Sequence, residues 1–266
     1  MFKTRLLSGI VLVIILIATV GTGGGLLFGF LALISLIGLS ELYKVVDVQN
    51  KILGLTGYLG AVVYYGILYT GQMQYMTLLT IAFLVVLMAV YVFSFPTFKA
   101  EQVMTVFFGV FYVAVMLSYV YQTRMLEDGA VAVWLIFLSS WGCDTCAYCA
   151  GMLFGRHKLA PVLSPKKSIE GAIGGMVGAA LLGALYGAVF GTHMEEVGNP
   201  VIACCAACAI AAVISQIGDL AASAIKRNHQ VKDYGTLIPG HGGILDRFDS
   251  MMFTAPAIYF VILFLR

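Results

Sequence analysis

The segment between Asp219 and Asp249 contains most of the side chains in this sequence that could do chemistry. It has eleven ionisable residues, counting Tyr234 as a weak acid, in a chain that is 61% hydrophobic and 11% charged. Charged groups are costly in lipid, so an apolar chain retains such a cluster only for a use. Carboxylates bind divalent cations, and Lys or Arg side chains bind phosphates. The segment therefore indicates metal-assisted phosphate chemistry.

Asp219 is the first candidate metal ligand. On a helix, Ser215, Asp219, Ser223 and Lys226 follow one another at i, i+4, i+8 and i+11, so they share one face. A carboxylate within a membrane span costs about 2.5–3.5 kcal/mol on insertion scales. We therefore expect Asp219 to bind a cation or to be paired, the structural alternative being an ion pair with Lys226.

Asp246 and Asp249 are the next candidate ligands. They lie three residues apart at the start of the last apolar segment and share a face if a helix has begun there. Converging carboxylates suit Mg²⁺, because phosphate oxygens and water complete its octahedron. Two metal ions about 3.5–4 Å apart would clamp the attacking and leaving oxygens of a phosphoryl substitution. In the alternative interpretation, Arg247 between them neutralises the pair.

The sequence Pro239-Gly-His-Gly-Gly243 predicts a loop, because its glycines and proline break a helix. Gly242 and Gly243 let backbone N–H groups approach a phosphate, and the loop leads into a helix N-terminus, where the dipole favours anions. His241 suits phosphate binding or proton transfer, and equally a role in capping or ordering the loop. The basic residues that flank this predicted polyphosphate site are Lys226, Arg227, Lys232 and Arg247.

Two positions further upstream carry weaker signals. Lys166 and Lys167 precede a predicted helix with Ser168 as its N-cap. The lysines either bind a substrate phosphate or only follow the positive-inside rule. Asp144 is expected roughly 13 Å deep in its span, at 1.5 Å per helical residue. That depth indicates a polar cavity or a buried partner, and both a metal-binding and a structural role stay open.

Residues 223–249 resemble the signature of the phosphatidate cytidylyltransferases, also called CDP-diacylglycerol synthases. The pattern S-x-x-K-R-x4-K-D-x-G-x3-P-x-H-G-G-x-x-D-R-x-D is matched without a gap. Looser similarity continues at Lys3-Thr-Arg5, Asp144-Thr-Cys-Ala-Tyr148, Gly155-Arg156 and 164–171. The resemblance therefore touches most of the C-terminal half and few residues of the first 130.

The resemblance implies an enzyme in which phosphatidate attacks the α-phosphorus of CTP, forming CDP-diacylglycerol and pyrophosphate. It implies Mg²⁺ as cofactor, with two metal ions expected, and CTP, phosphatidate and membrane lipid as partners; no nucleic acid is expected, and a homo-oligomer is left open. The expected metal ligands are Asp219 and Asp246, with Asp249 and Asp144 as further members. Lys226 is expected to join Asp219 and Asp246 in catalysis. The expected substrate-binding residues are Lys166, Lys167, Ser223, Arg227, Lys232, His241, Gly242, Gly243 and Arg247.

The composition places the chain in a membrane, since globular chains carry roughly 25% charged residues. A span needs about 20 apolar residues, and runs of this kind lie at about 6–21, 23–40, 53–70, 73–95, 102–121, 130–153, 169–191, 200–224 and 248–265. Adjacent glycines favour a turn within 21–25 and separate the first two runs. We therefore predict an all-α polytopic membrane protein of about nine helices, with scaffold helices in 1–130 and a catalytic region in 131–266.

Lysine and arginine predict the sidedness of these spans. With nine spans, thirteen of the fifteen Lys and Arg residues fall on the side of the N-terminus, and only Arg124 and Arg266 fall on the other. Short loops rich in Lys and Arg stay cytoplasmic. We therefore expect a cytoplasmic N-terminus and active site, in the bacterial inner (plasma) membrane. We expect the first apolar run to stay as a span rather than be cleaved as a signal peptide.

Cysteines and glycines inside the spans are interpreted as packing residues. Cys143, Cys146 and Cys149 have the spacing of an iron–sulfur motif, but they and a second trio, Cys204, Cys205 and Cys208, lie within predicted helices. Small residues at helix contacts are the commoner explanation. The same applies to the glycines of the seventh span, which are Gly171, Gly174, Gly175, Gly178 and Gly183.

Two other functions compete with the cytidylyltransferase. One is another CTP-dependent lipid enzyme, such as a polyprenol kinase or an archaeal lipid cytidylyltransferase, which the full signature disfavours. The other is a cation-coupled transporter, because Asp144 and Asp219 within spans also suit ion sites. A transporter places its charges near the midplane, whereas here they are expected at one face beside a glycine-rich loop.

Overall fold

The computed structural model describes the backbone of residues 2–265 and the side chains of residues 7–265. The side chains of Lys3, Arg5 and Arg266, which contribute to the predicted sidedness, lie outside the described residues. The helices are α1 (Phe2–Thr22), α2 (Gly24–Val45), α3 (Ile52–Tyr69), α4 (Met76–Phe93), α5 (Ala100–Gly109), α6 (Met116–Arg124), α7 (Gly129–Ala132), α8 (Trp134–Phe137), α9 (Cys143–Phe154), α10 (Ile169–Phe190), α11 (Pro200–Asn228) and α12 (Leu245–Phe264). One hairpin is formed by the strands β1 (Lys158–Ala160) and β2 (Ser164–Ser168).

Long apolar helices dominate, as the composition predicts. Within the described part of the chain, eight helices are long and apolar enough to cross a membrane, and α1 adds the apolar stretch Leu7–Thr22. Short π-helical segments, Val110–Val115 and Leu138–Gly142, join α5 to α6 and α8 to α9 within two of these spans. Eight of the nine predicted runs each overlap one of these eight helices, and the first run, 6–21, overlaps α1. The all-α polytopic fold is therefore confirmed, while a ninth span at α1 stays a prediction.

The predicted break between the first two spans is also confirmed. Helix α1 ends at Thr22 and α2 begins at Gly24, with Gly23 and Gly24 at φ 65° and 54°. Left-handed backbone of this kind is strained for residues that have a Cβ atom but not for glycine. The glycine run therefore allows the chain to leave one helix and begin another without a long loop.

The chain forms two compact units. The first comprises Met1–Ser118 and Val231–Arg247, and the second comprises Tyr119–Gln230 and Phe248–Arg266. The signature segment is thus divided between the two units at residues 230 and 247. The division into scaffold helices and a catalytic region at residue 131 is a functional one, whereas the two units are defined by packing. The functional division stays a prediction.

In the first unit, buried tyrosines connect the N-terminal helices. Tyr43 of α2 is fully buried, and its hydroxyl donates a hydrogen bond to the Val106 carbonyl at 3.0 Å. Gly57 and Gly109 lie so close to its ring that a Cβ atom at either position would overlap it. Buried hydroxyls need such partners, so α2, α3 and α5 are held in one arrangement.

In the second unit, α10 packs closely against α9 and α11 through glycine and cysteine. Gly178 lies against Cys146, and Gly183 lies against the carbonyl of Cys204 and the side chain of Cys208. The prediction that these glycines serve close helix packing is confirmed. All six cysteines are free thiols within α9 and α11, as expected for residues at helix contacts.

The polar loop between α9 and α10 contains structure that the sequence analysis did not predict. Strands β1 and β2 pair antiparallel, with Lys158 opposite Ser168 and Ala160 opposite Ser164. The predicted N-cap is confirmed, because the Ser168 hydroxyl accepts the Gly171 N–H at 3.1 Å. The hairpin escaped prediction because its strands are only three and five residues long.

The close packing of α10 predicts an effect on stability. A methyl group at residue 183 would overlap α11, and overpacking of this kind typically costs about 1–3 kcal/mol. Gly183→Ala should therefore lower the unfolding temperature in detergent. Gly29→Ala on α2, where a methyl group meets open space, is the matched control and should raise it slightly, by helix propensity. Equal unfolding temperatures for the two variants would contradict the packing role.

Candidate active site

The predicted site residues lie in both units and form a separate group in each. The group in the first unit comprises Lys232, His241, Gly242, Gly243, Asp246 and Arg247. The group in the second unit comprises Asp144, Lys166, Lys167, Asp219, Ser223, Lys226, Arg227 and Asp249.

Asp246 orders the loop that precedes α12. It lies in the first turn of the helix and is only 8% exposed. Its Oδ2 atom accepts the backbone N–H groups of Tyr234 at 2.8 Å and of Gly243 at 3.0 Å. One carboxylate therefore joins the two ends of the segment 234–243, and Asp246 has a structural role in addition to the metal-binding role predicted for it.

A second carboxylate that the sequence analysis missed binds the same loop. Glu41 of α2 is 8% exposed, and its two oxygens accept the N–H groups of Ile244 and Leu245, both at 2.9 Å. The contact joins residues more than 200 positions apart, so local patterns could not reveal it. One signal was present, since Glu41 is the only acidic residue among the first 46.

These contacts occupy backbone groups that the predicted polyphosphate site was expected to use. The N–H groups of Gly243, Ile244 and Leu245 point to carboxylates of the chain itself, Asp246 and Glu41. The loop is a tight turn in which the Ile238 N–H donates to the Gly242 carbonyl at 2.8 Å, and Gly242 has φ 88°. Turn geometry thus accounts for glycine at this position, and substrate binding by Gly242 and Gly243 stays a prediction.

His241 is held by the first helix. Its Nδ1 atom lies 3.0 Å from the Ser8 hydroxyl, which donates to the Pro239 carbonyl at 3.1 Å. The loop-ordering role that the sequence left open is thus observed, and phosphate binding by His241 stays a prediction. Ser8 and Glu41 both contact residues 239–245, so parts of α1 and α2 lie beside the loop; the sidedness stays a prediction.

In the second unit, a cavity of about 440 Å³ opens between α9, the hairpin and α10. Its polar lining comes from Asp144, Lys166, Lys167, Ser168 and Gln216, and its apolar lining includes Met152 and Leu159. Asp144 lines this cavity, which is one of the two surroundings that its depth indicates, and its role stays a prediction. A lining that combines two lysines with apolar side chains has the chemistry to accept an amphipathic anion.

Lys167 forms an ion pair with Asp219, which connects the hairpin to α11. Their side chains are 26% and 28% exposed, so the pair is partly shielded from solvent. The expectation that Asp219 needs a partner is met within the chain. Gln216, one turn earlier on α11, donates to the Ala172 carbonyl of α10 at 3.0 Å and so orients the same part of the helix.

Asp249 belongs to the same group of charges. It lies within electrostatic reach of Asp219, Asp144 and Lys226. Asp219 and Asp144 thus repel the Asp249 carboxylate, while Lys226 attracts it. A divalent cation would relieve the repulsion among them.

The donor chemistry of this group fits Mg²⁺. In the part of the chain that the structure describes, no three His, Cys, Asp or Glu side chains are arranged as a metal site. Mg²⁺ commonly takes only one or two carboxylates and completes its octahedron with substrate phosphates and water. Asp219 and Asp249 offer such oxygens, and the assignment of metal to Asp219, Asp246, Asp249 and Asp144 stays a prediction.

The other members of the two groups differ in their exposure. Ser223 and Lys226 are half-buried on α11, on the stripe that continues from Asp219, while Ser215 is fully buried. Lys226 and Arg227 are in the last turn of α11, where cations interact favourably with the helix dipole. Arg227, Lys232 and Arg247 are exposed. The exposed bases are free to swing toward an anion, but their assignment stays a prediction.

Comparison with known proteins identifies the family of this chain. The sequence matches the model of the cytidylyltransferase family over residues 3–265. A phosphatidate cytidylyltransferase of Staphylococcus epidermidis is 32% identical over 263 residues, which cover 96% of this chain and 97% of the relative. Proteins of the same name from Staphylococcus haemolyticus and Staphylococcus aureus are also 32% identical, over 263 and 261 residues. The chain therefore belongs to the cytidylyltransferase family.

Proposed function

We propose that this protein transfers the cytidylyl group of CTP to phosphatidate, giving CDP-diacylglycerol and pyrophosphate. The observation that carries the proposal is the complete signature at 223–249 in a chain whose relatives, matched over nearly their whole length, are named phosphatidate cytidylyltransferases. The charged groups described above supply the binding chemistry that two polyanionic substrates require.

In the proposed reaction, a phosphate oxygen of phosphatidate forms a bond to the α-phosphorus of CTP. The bond from the α-phosphorus to the oxygen bridging the α- and β-phosphates breaks, and pyrophosphate leaves with that oxygen. Substitution of this kind depends on positioning the reactants and stabilising the charge that develops. Lys166 and Lys167 would hold a phosphate in the cavity of the second unit, and Lys226, Arg227, Lys232 and Arg247 would bind the remaining phosphate charge.

Mg²⁺ would supply charge neutralisation at the polyphosphate. Asp219 and Asp246 would hold it, with Asp249 and Asp144 as further oxygen donors and two ions as the expected number. Ser223 and His241 would donate hydrogen bonds to phosphate oxygens, with Gly242 and Gly243 keeping the loop close to the nucleotide.

The phosphatidate tails would remain in the bilayer, and only the head group would enter the cavity. The exposed apolar residues Tyr148, Met152 and Leu153 on α9 support this route, because side chains of this type face lipid in a membrane protein. We place the active site at the cytoplasmic face of the bacterial inner membrane, where CTP is available.

The proposal is tested by pyrophosphate release from purified protein in mixed micelles. Release should require CTP, phosphatidate and Mg²⁺ together, and diacylglycerol should not replace phosphatidate because it lacks the attacking phosphate. Release of CDP with the γ-phosphoryl group transferred to lipid would indicate a kinase, and release of CDP with orthophosphate would indicate hydrolysis of CTP. No turnover of CTP, with cation uptake into vesicles, would indicate a transporter.

Removing a candidate metal ligand should abolish turnover. Asp219→Asn and Asp246→Asn preserve shape but remove the negative charge, and loss of one such electrostatic contribution typically costs about 10²–10³ in kcat. Initial rates at saturating Mg²⁺ check this, and unfolding temperature shows that the variants remain folded. EDTA should silence the wild type until Mg²⁺ is restored. Near-normal activity in either variant would refute its metal assignment.

Lys167 should affect catalysis more than stability. Lys167→Ala removes the partner of Asp219 and a cavity cation, so kcat/KM should fall at least tenfold, or about 1.4 kcal/mol. Lys158→Ala, an exposed lysine of the same hairpin, is the matched control and should retain normal kcat/KM. If both variants lose activity only in proportion to their loss of unfolding temperature, Lys167 has a structural role alone.

Sidedness is testable with single reporter cysteines in a background lacking the six native ones. Residues 195 and 232 are both exposed, and the predicted topology places them on opposite sides. An impermeant thiol reagent added outside the cell should label cysteine at 195 but not at 232 or 158. Residue 266 should be labelled with residue 195. Outside labelling at 232 would overturn the topology and the access route for CTP.

A further inference from the structure

We propose that Glu41, a residue of the N-terminal half of the chain, is a positioning residue for the reaction. It orients the segment 234–243 and the start of α12. This inference rests on the proposed function. It assigns a role in the site to helix α2, for which the sequence predicts a scaffold alone.

The contact is suited to fixing the direction of a helix. The first N–H groups of an α-helix have no partner within the helix. At the start of α12, the N–H groups of Leu245 and of Ile244, the residue before the helix, each donate to a different oxygen of Glu41 at 2.9 Å. A carboxylate at this end also interacts favourably with the helix dipole. Two bonds to one planar group constrain rotation as well as distance, so the start of α12 follows the placement of Glu41.

Two glycines of the signature are explained by the same carboxylate. A Cβ atom at Gly235 would overlap Glu41 Oε1, and one at Gly243 would overlap both oxygens. Neither residue has a positive φ, so backbone conformation does not require glycine at either position. The space that Glu41 occupies does require it. The loop therefore encloses the carboxylate on two sides in addition to binding it at the helix end.

The position of Asp246 depends on the contact between Glu41 and the start of α12. It is the next residue after Leu245, and its own carboxylate binds the N–H groups of Tyr234 and Gly243. Consecutive N–H groups from 243 to 245 are thus bound by two carboxylates, one from α12 itself and one from α2. Movement of Glu41 would shift the first turn of α12, and with it the side chain that we assign to Mg²⁺.

The inference has a structural test that does not depend on activity. In Glu41→Gln one oxygen is replaced by an amide NH₂ group that cannot accept a hydrogen bond, and in Glu41→Ala both oxygens are lost. Amide hydrogen exchange of 243–245 should accelerate about 10- to 100-fold, as expected when a charge-assisted hydrogen bond is removed. Exchange in α3 should stay unchanged. Ser40→Ala, the neighbouring α2 residue, which bonds Gln49 rather than the loop, is the matched control.

The kinetic test separates positioning from folding. Because small displacements of catalytic groups cost up to about 10²-fold in rate, kcat should fall about 10- to 100-fold in Glu41→Gln, and the Mg²⁺ concentration for half-activation should rise. KM for CTP should change less than kcat, because Glu41 contacts the start of α12, which carries Asp246, and is not itself one of the proposed substrate-binding residues. Unchanged exchange at 243–245 would overturn the anchor, and accelerated exchange with normal kcat and Mg²⁺ dependence would overturn its role in the reaction.

A double-mutant cycle tests the explanation of Gly235. Gly235→Ala should lower kcat in the wild type, because the methyl group displaces the carboxylate, but should add little in a Glu41→Ala background, where that space is empty. Additive effects would show that Gly235 acts independently of Glu41. If the wild type shows no cytidylyl transfer at all, the proposed function fails, while the exchange measurements still decide whether Glu41 anchors the loop.

Discussion

Carboxylates in an apolar, membrane-spanning chain must find partners, and the polar part of this structure is built around that constraint. Desolvating an ionised carboxylate without compensation costs several kcal/mol. The chain meets the cost differently at each position. Glu41 binds the N–H groups of Ile244 and Leu245 where α12 begins, Asp246 binds N–H groups of its loop, and Asp219 forms an ion pair with Lys167.

These partnerships connect the functional segment to the remainder of the fold. The glycine-rich loop depends on α1 through Ser8 and on α2 through Glu41. The cavity of the second unit depends on the hairpin, which places Lys167 against α11. The first half of the chain contains few of the motif residues. Within the first unit, however, it binds the loop that contains several of them. Helices with no obvious chemistry therefore contribute to the geometry of the proposed site.

The helical framework was predictable because it depends on local sequence. Eight of the nine predicted apolar runs overlap the helices that are long enough to cross a membrane, the first run overlaps α1, and the glycines of 21–25 indicate the break between α1 and α2. Ser168 was identified as an N-cap from its place before a helix, and the glycines of α10 as contacts from their number. Each of these features is determined by residues within one or two turns of the one concerned.

The contacts that orient the site were not predictable, since they join distant parts of the sequence. Nothing near Glu41 indicates that it binds residues 244 and 245, and nothing near Lys167 selects Asp219 as its partner in preference to a substrate phosphate. The predicted polyphosphate site also shows that local sequence does not reveal distant partners. A glycine-rich loop before a helix indicated free N–H groups, whereas in the fold the N–H groups of residues 243–245 bind Glu41 and Asp246.

The central claim is that the chain transfers a nucleotidyl group, rather than a phosphoryl group, to a lipid. The most direct measurement follows the label of CTP carrying ³²P at either the α- or the γ-position, with phosphatidate in mixed micelles. The account predicts that the α-label enters the lipid fraction as CDP-diacylglycerol and that the γ-label leaves in pyrophosphate. Transfer of the γ-label to lipid, with the α-label remaining in CDP, would contradict it.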